Sequence, residues 1–229
     1  MTIKALLLSL SLAAALAASP SEAALVTGSE TGSGGATFAT LWDTTTGLDW
    51  LSPTATTNRT VSAVLTGYGG WAGMGFRYAT GSELRLLLEH AGLAGASAGA
   101  NSWSDAAAIH GMNALVTSLG WTYEDRQPSP GDELGKHTIY GVLADLHLGD
   151  GQSPASRQYA VLTSSTDYAG AGFGGQWLHG DADNLVGSFL VRDRFSVPEP
   201  GTAWLALFAF GIAVAGAGRL RGRATNIRE

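Results

Sequence analysis

The segment from Gly201 to Leu220 constrains this chain more than any other. It holds 20 residues, about 30 Å as a helix, which is the hydrocarbon thickness of a bilayer. Leu205, Leu207, Phe208, Phe210, Ile212 and Val214 favour insertion, yet at about 0.3–0.6 kcal/mol each they total only about 2–4 kcal/mol. The remainder is mostly alanine and glycine, so the transmembrane helix expected over 202–218 is marginal. Trp204 suits an interfacial aromatic belt, and Arg219, Arg221 and Arg223 would hold the C-terminus on the cytoplasmic side. Pro198 and Pro200 oppose extension of that helix toward the N-terminus, because each ring removes a donor and biases the preceding residue toward extended backbone. The joint before the span is therefore expected to be extended and open to a processing enzyme.

The other end of the chain agrees. Lys4 supplies a positive charge, Ala5 to Ala18 is an apolar run, and Ser21-Glu22-Ala23 places small residues at the −3 and −1 positions of a cleavage site. This pattern predicts a secretory signal peptide over 1–23, cleaved after Ala23. A retained N-terminal anchor is the alternative, opposed by the shortness of the run. Both ends are addresses, and the folding unit is expected to span 24–196.

Val197-Pro198-Glu199-Pro200, one short span and a basic tail, in that order, resemble the PEP-CTERM sorting signal. The resemblance implies an exported bacterial protein, typically of a Gram-negative organism that makes exopolysaccharide. It implies handling by exosortase, a membrane protease-transpeptidase, with the inner membrane as a transient anchor and exopolysaccharide as a further partner. The domain would sit outside the cytoplasm, then at the cell surface or in the extracellular matrix. An ordinary C-terminal anchor carrying a fortuitous Pro-Glu-Pro would share that topology.

The 173 residues of 24–196 are one domain by length, enough to bury roughly 70% of the unfolded surface. Cysteine is absent, which removes disulfides, thiolate metal sites and cysteine nucleophiles together. Sixteen acidic side chains against eight basic ones give this stretch a net charge near −8, with Lys136 its only lysine. Such a domain is not expected to bind nucleic acid, because neutralising phosphates supplies most of that affinity.

Phe38 to Trp42 and Leu48 to Leu51 flank the turn-like Thr44-Thr45-Thr46-Gly47, which predicts a β-hairpin. A short helix is expected over Asn58 to Leu65, capped by Asn58 or Thr60. Asn58-Arg59-Thr60 also matches an N-glycosylation acceptor, a pattern of little information. Gly67 to Gly75 reads as a glycine-aromatic loop. Thr80 and Glu83 have capping-box spacing ahead of Leu84, Leu87 and Leu88, with Gly92 as the stop. A second long helix is expected from Asp105 to Leu119, capped by Ser104, with Ala94 to Asn101 as the loop before it. After a polar loop over Glu124 to Lys136, strands are expected at Thr138 to Leu148, Tyr159 to Thr163, Gln176 to Leu178 and Ser188 to Asp193. Irregular alternation of helices and strands predicts a single α+β domain, a mostly antiparallel sheet with two or three helices.

Gly47-Leu48-Asp49-Trp50-Leu51, Phe76-Arg77-Tyr78-Ala79-Thr80 before Glu83-Leu84, Tyr159 to Ser165, and Phe189 to Asp193 resemble an uncharacterised domain common in PEP-CTERM proteins. Their order is also similar to a pattern thought to be C-type-lectin-like. This chain has Phe76-Arg77-Tyr78-Ala79-Thr80 where that pattern has Trp-Arg-Leu-Pro-Thr, and a shared fold would not by itself transfer ligand binding.

Few residues point to chemistry. Gly95-Ala96-Ser97-Ala98-Gly99 matches the Gly-x-Ser-x-Gly elbow, but a nucleophile elbow needs a strand before it and a helix precedes here. None of the five histidines has a zinc-like partner at helical spacing, and His90 and His110 fall on predicted helices as surface or boundary residues. Asp145, His147 and Asp150, like Asp181 and Asp183, could face calcium but lack the EF-hand register, so solvated turns are expected. Trp42 and Trp50 sit symmetrically about the hairpin beside Asp43 and Asp49, an arrangement that could stack on a sugar; cross-strand packing is the simpler reading. No cofactor or metal is expected. The reading is a non-enzymatic exported surface or matrix protein, with a carbohydrate-binding module as the alternative and a serine hydrolase using Ser97 as the third.

Overall fold

The described residues open on a three-stranded meander. β1 (Leu25–Thr31), β2 (Thr37–Asp43) and β3 (Leu48–Leu51) pair antiparallel in sequence order, so the expected hairpin is present. Its turn is held by Asp43, whose Oδ1 accepts the Thr45 amide at 2.9 Å and whose Oδ2 accepts the Thr46 hydroxyl at 2.7 Å. Gly47 closes it at φ 73°, where a Cβ would be strained. The computed structural model describes residues 24–125, 136–146 and 156–194, all within one compact unit. The expected signal peptide, Pro-Glu-Pro motif, membrane span and arginine cluster lie outside the described residues. Among those described, no helix is long and apolar enough to cross a membrane.

After a 3-10 turn at Pro53–Thr56, α1 (Val61–Leu65) is capped by Thr60, which accepts the Ala63 amide at 3.0 Å. Asn58, the other cap candidate, instead adopts φ 57°. Two short 3-10 turns follow before β4 (Arg77–Tyr78). α2 (Gly81–His90) begins with the full capping box: Thr80 Oγ1 accepts the Glu83 amide while the Glu83 carboxylate accepts the Thr80 amide. The unexpected β5 (Ser102–Trp103) precedes α3 (Ala106–Leu119). The cap of α3 is Asp105, accepting from the Ala108 amide at 2.9 Å, rather than Ser104. Gly120 ends that helix.

β6 (Tyr123–Asp125) occupies the start of what the sequence suggested was loop, and β7 (Lys136–Leu146) its end. β8 (Ser156–Ser164) and β9 (Ala169–Leu178) extend well beyond their expected cores. The run expected as one strand over 188–193 is two, β10 (Val186–Ser188) and β11 (Leu190–Asp193). They lie in different sheets. One sheet has the order β1-β2-β3-β11-β4, the other β10-β7-β8-β9-β5 with β6 also on β7. The single expected sheet is thus two, and among the described residues every pairing is antiparallel except β10 with β7. The helices and strands remain an α+β arrangement.

Phe189 is where the chain changes sheet. Its amide donates to Val142 in the second sheet, its carbonyl accepts from Ala79 beside the first, and its ring is fully buried. Gly141 makes room, since a Cβ there would lie 2.5 Å from the Phe189 ring. The main core gathers Leu84, Leu87 and Leu88 of α2 with Met112, Leu115 and Leu119 of α3, against Trp50, Ile139, Leu162 and Phe189. A second core forms around Leu51, Trp71, Phe76, Tyr78 and Leu190.

Candidate functional site

The hairpin tryptophans do not form a sugar platform. Trp50 is 0% exposed. Trp42 pairs with Asp49 and the adjacent Leu41 pairs with Trp50, so the two rings project to opposite faces of the sheet. Trp42 remains half-buried, with the Arg194 guanidinium 4.7 Å over its ring. The one-residue offset, invisible as symmetry about a turn, decides the matter.

Ser97 lies in a chain of turns between α2 and β5, and no strand leads into it. Its amide donates to Glu89 at 2.9 Å; hydrogen bonds from Ser97, side chain before backbone, hold that carboxyl below its usual range. His110 is exposed, while His90 Nδ1 reaches Asp43 at 2.7 Å. Asp145 caps α2 by accepting the Gly81 amide at 2.5 Å, and Asp181 and Asp183 accept the amides of Leu178 and Leu185. Among the described residues no three acidic or histidine side chains gather to hold a metal. His147 and Asp150 lie outside them.

Two clefts remain. The first, of about 320 Å³, opens between α1, the 71–78 segment and β8. Its walls are apolar, from Val64, Leu65, Trp71, Phe76 and Leu190. Arg157 enters from β8, stacked 4.8 Å over Tyr78 and donating to the Ala144 carbonyl at 2.7 Å. Burial raises the Tyr78 hydroxyl above its ordinary range, so it stays protonated, bonded to Ser188.

The second is a polar groove where α3 overhangs one end of the second sheet. Register builds it. Glu124 of β6 pairs with His137 of β7, and His137 pairs with Ser164 of β8, so a carboxylate, an imidazole and a hydroxyl stand in a row on one face. Asn113 and Thr117, one helical turn apart on α3, face this row with Ser165 and Thr166, enclosing about 460 Å³. A second lobe of about 380 Å³ continues along α3 and shares Asn113 and Thr166. Trp121, 39% exposed, stacks flat on the His137 ring with centroids 4.2 Å apart. Ser164 is 2% exposed, and its Oγ makes no hydrogen bond among the described residues. No hydrogen bond joins that hydroxyl to the His137 imidazole among the described residues. What the row presents is a set of hydrogen-bonding groups without that pair.

No role for these groove residues is legible in the sequence, although Ser164 and Ser165 fall within the Tyr159 to Ser165 stretch of the resemblance. Strand register is what brings Glu124, His137 and Ser164 together.

Residues 196–223 match the PEP-CTERM protein-sorting motif. No curated protein and no solved structure matches the chain. The motif supports an exported protein processed by exosortase.

Proposed function

We propose that this chain is a non-enzymatic protein of the bacterial cell surface or exopolysaccharide matrix, sorted and processed by exosortase through its C-terminal signal. One observation carries the reading. The sorting motif begins at residue 196, directly after the compact unit ends at Arg194. A cut at Val197-Pro198-Glu199-Pro200 would therefore remove no described strand and would free the folded unit whole. The arginines at 219, 221 and 223 would hold the unprocessed tail inward, as the positive-inside rule requires. A non-enzymatic role is favoured because Ser97 sits among turns next to Glu89, and the Glu124–His137–Ser164 row lacks a serine–imidazole hydrogen bond.

The test is made in the native host with and without its exosortase. Cells are fractionated and the mature C-terminus is read by mass spectrometry. The expected mature protein lacks Arg219 to Glu229 and lies in the surface or matrix fraction, while the exosortase-deficient strain retains the full tail in its membranes. A mature protein that still carries Arg219 to Glu229 in the normal strain overturns the reading.

A further inference from the structure

We propose that the polar groove beneath α3 is a binding site for a neutral saccharide. Its lining is hydroxyl, amide, imidazole and carboxylate, from Asn113, Thr117, Glu124, His137, Ser164 and Thr166. These groups both donate and accept, which is what a ligand carrying many hydroxyls needs at close spacing. Among the described residues no lysine or arginine lines either lobe, and the carboxylates of Glu124 and Asp167 do. With carboxylates and no described lysine or arginine in the lining, a neutral saccharide fits better than one bearing carboxylate or sulfate.

Three further features separate this groove from a merely solvated crease. Ser164 is a buried hydroxyl in the groove wall with no hydrogen-bond partner among the described residues, a cost that a ligand hydroxyl would remove. The Trp121 ring lies exposed beside the row, its orientation set by stacking on His137 at 13° between planes. It offers a rigid apolar face to the C–H side of a sugar ring while its indole keeps a polar edge. The two lobes, about 460 and 380 Å³, share Asn113 and Thr166, so the groove is long enough for a chain and sits in the size range of ligand sites. The apolar cleft around Trp71 lacks this chemistry.

A chain processed by exosortase need bind no sugar, and a saccharide-binding chain need not be processed.

The experiment uses the full chain, purified in mild detergent, against an array of neutral oligosaccharides (glucans, galactans, mannans and N-acetylated hexosamine oligomers) with alginate and heparin as anionic controls. The affinity for any neutral oligosaccharide bound is then measured by titration calorimetry. Asn113→Ala and Trp121→Ala are each expected to weaken binding about tenfold or more, as loss of a hydrogen bond pair or an aromatic face would. Ser164→Ala is the decisive variant. It should weaken binding several-fold while leaving the thermal midpoint without sugar unchanged or raised, because it deletes a buried unpartnered hydroxyl. A loss of binding tracking a loss of fold would overturn the proposal. So would the absence of binding to every neutral oligosaccharide, binding confined to alginate or heparin, or neutral binding unaffected by all three substitutions.

Discussion

The Asp43 carboxylate accepts a hydrogen bond from His90 Nδ1 at 2.7 Å, tying the β2–β3 turn to the last turn of α2 across 47 residues of sequence. Asp43 is 1% exposed and His90 18%, so one carboxylate organises both a hairpin and a helix end. Asp43→Ala strands the Thr45 amide, the Thr46 hydroxyl and the imidazole together, and is expected to cost about 2–4 kcal/mol. His90→Ala should cost about 1–3 kcal/mol. At about 2–4 °C per kcal/mol for a domain of this size, thermal melts resolve both. The double variant should lose less than the sum, since the two changes remove one shared bond.

Gly111 separates two effects that usually act in opposite directions. In an open helix interior, glycine to alanine gains about 1 kcal/mol. A Cβ at Gly111 would instead lie 2.0 Å from the Ala91 carbonyl oxygen, in the turn that caps α2. That backbone cannot give way cheaply, and overpacking of this kind costs about 1–3 kcal/mol or more. Gly111→Ala should therefore lower stability, whereas Gly73→Ala, with nothing within 4 Å of its Cβ, should leave it unchanged or slightly raised. Urea denaturation of the two variants checks the contrast.

How much of this was legible depended on how local the cause was. The Thr80–Glu83 box announces its helix within four residues and forms as its spacing predicts, and of the two caps expected for the short helix, Asn58 or Thr60, Thr60 takes the role. The main core follows from the same periodicity through Leu84, Leu87 and Leu88. The division into two sheets was hidden, because nothing in Ser188-Phe189-Leu190 marks a change of partner; Phe189 turns there through bonds to Val142 and Ala79, each distant in sequence. β9 was foreshortened because its glycines carry no alternation. The groove was hidden for a related reason, since its central row is a product of register among three strands. Trp42 and Trp50 mislead by the same rule, one residue of pairing placing them on opposite faces.

Glu83 gives the unit an acid-sensitive element. Burial pushes its carboxyl up, but hydrogen bonds from Arg77 and Thr80 outweigh this and leave it below the usual range. A carboxyl held low when folded contributes its stability in full above the unfolded value of about 4.3 and loses it as pH falls through the folded value. Arg77 is 48% exposed on its side chain, so screening limits what that ion pair adds; glutamine would keep the box geometry but lose the carboxylate's charge-assisted bonds to Arg77 and to the Thr80 amide. Glu83→Gln should destabilise at pH 7, with the difference from the parent shrinking below about pH 4. Denaturation curves at pH 7, 4 and 3 decide it, a constant difference down to pH 3 contradicting the account.

Arg192 is the counter-ion of a buried carboxylate. It pairs with Asp49 in the β11–β3 register, donating to Asp49 Oδ2 through Nε at 3.1 Å and Nη2 at 2.7 Å, and it also bonds Glu30. Its guanidinium stacks 4.5 Å over Phe76. Burial pulls its pKa down, but Glu30 and Asp49 outweigh burial and raise it above the ordinary value. Asp49 is 1% exposed, and its Oδ1 has no hydrogen bond among the described residues. Removing the arginine leaves that charge alone, so Arg192→Met should cost about 3–5 kcal/mol. Arg192→Lys should recover only part, because an ammonium cannot reproduce the fork or the flat stacking. Pairing Arg192→Met with Asp49→Leu should restore most of the loss, since an apolar pair needs no counter-charge. If the double variant were as unstable as Arg192→Met alone, the cost would lie in lost packing on Phe76 rather than in the stranded carboxylate.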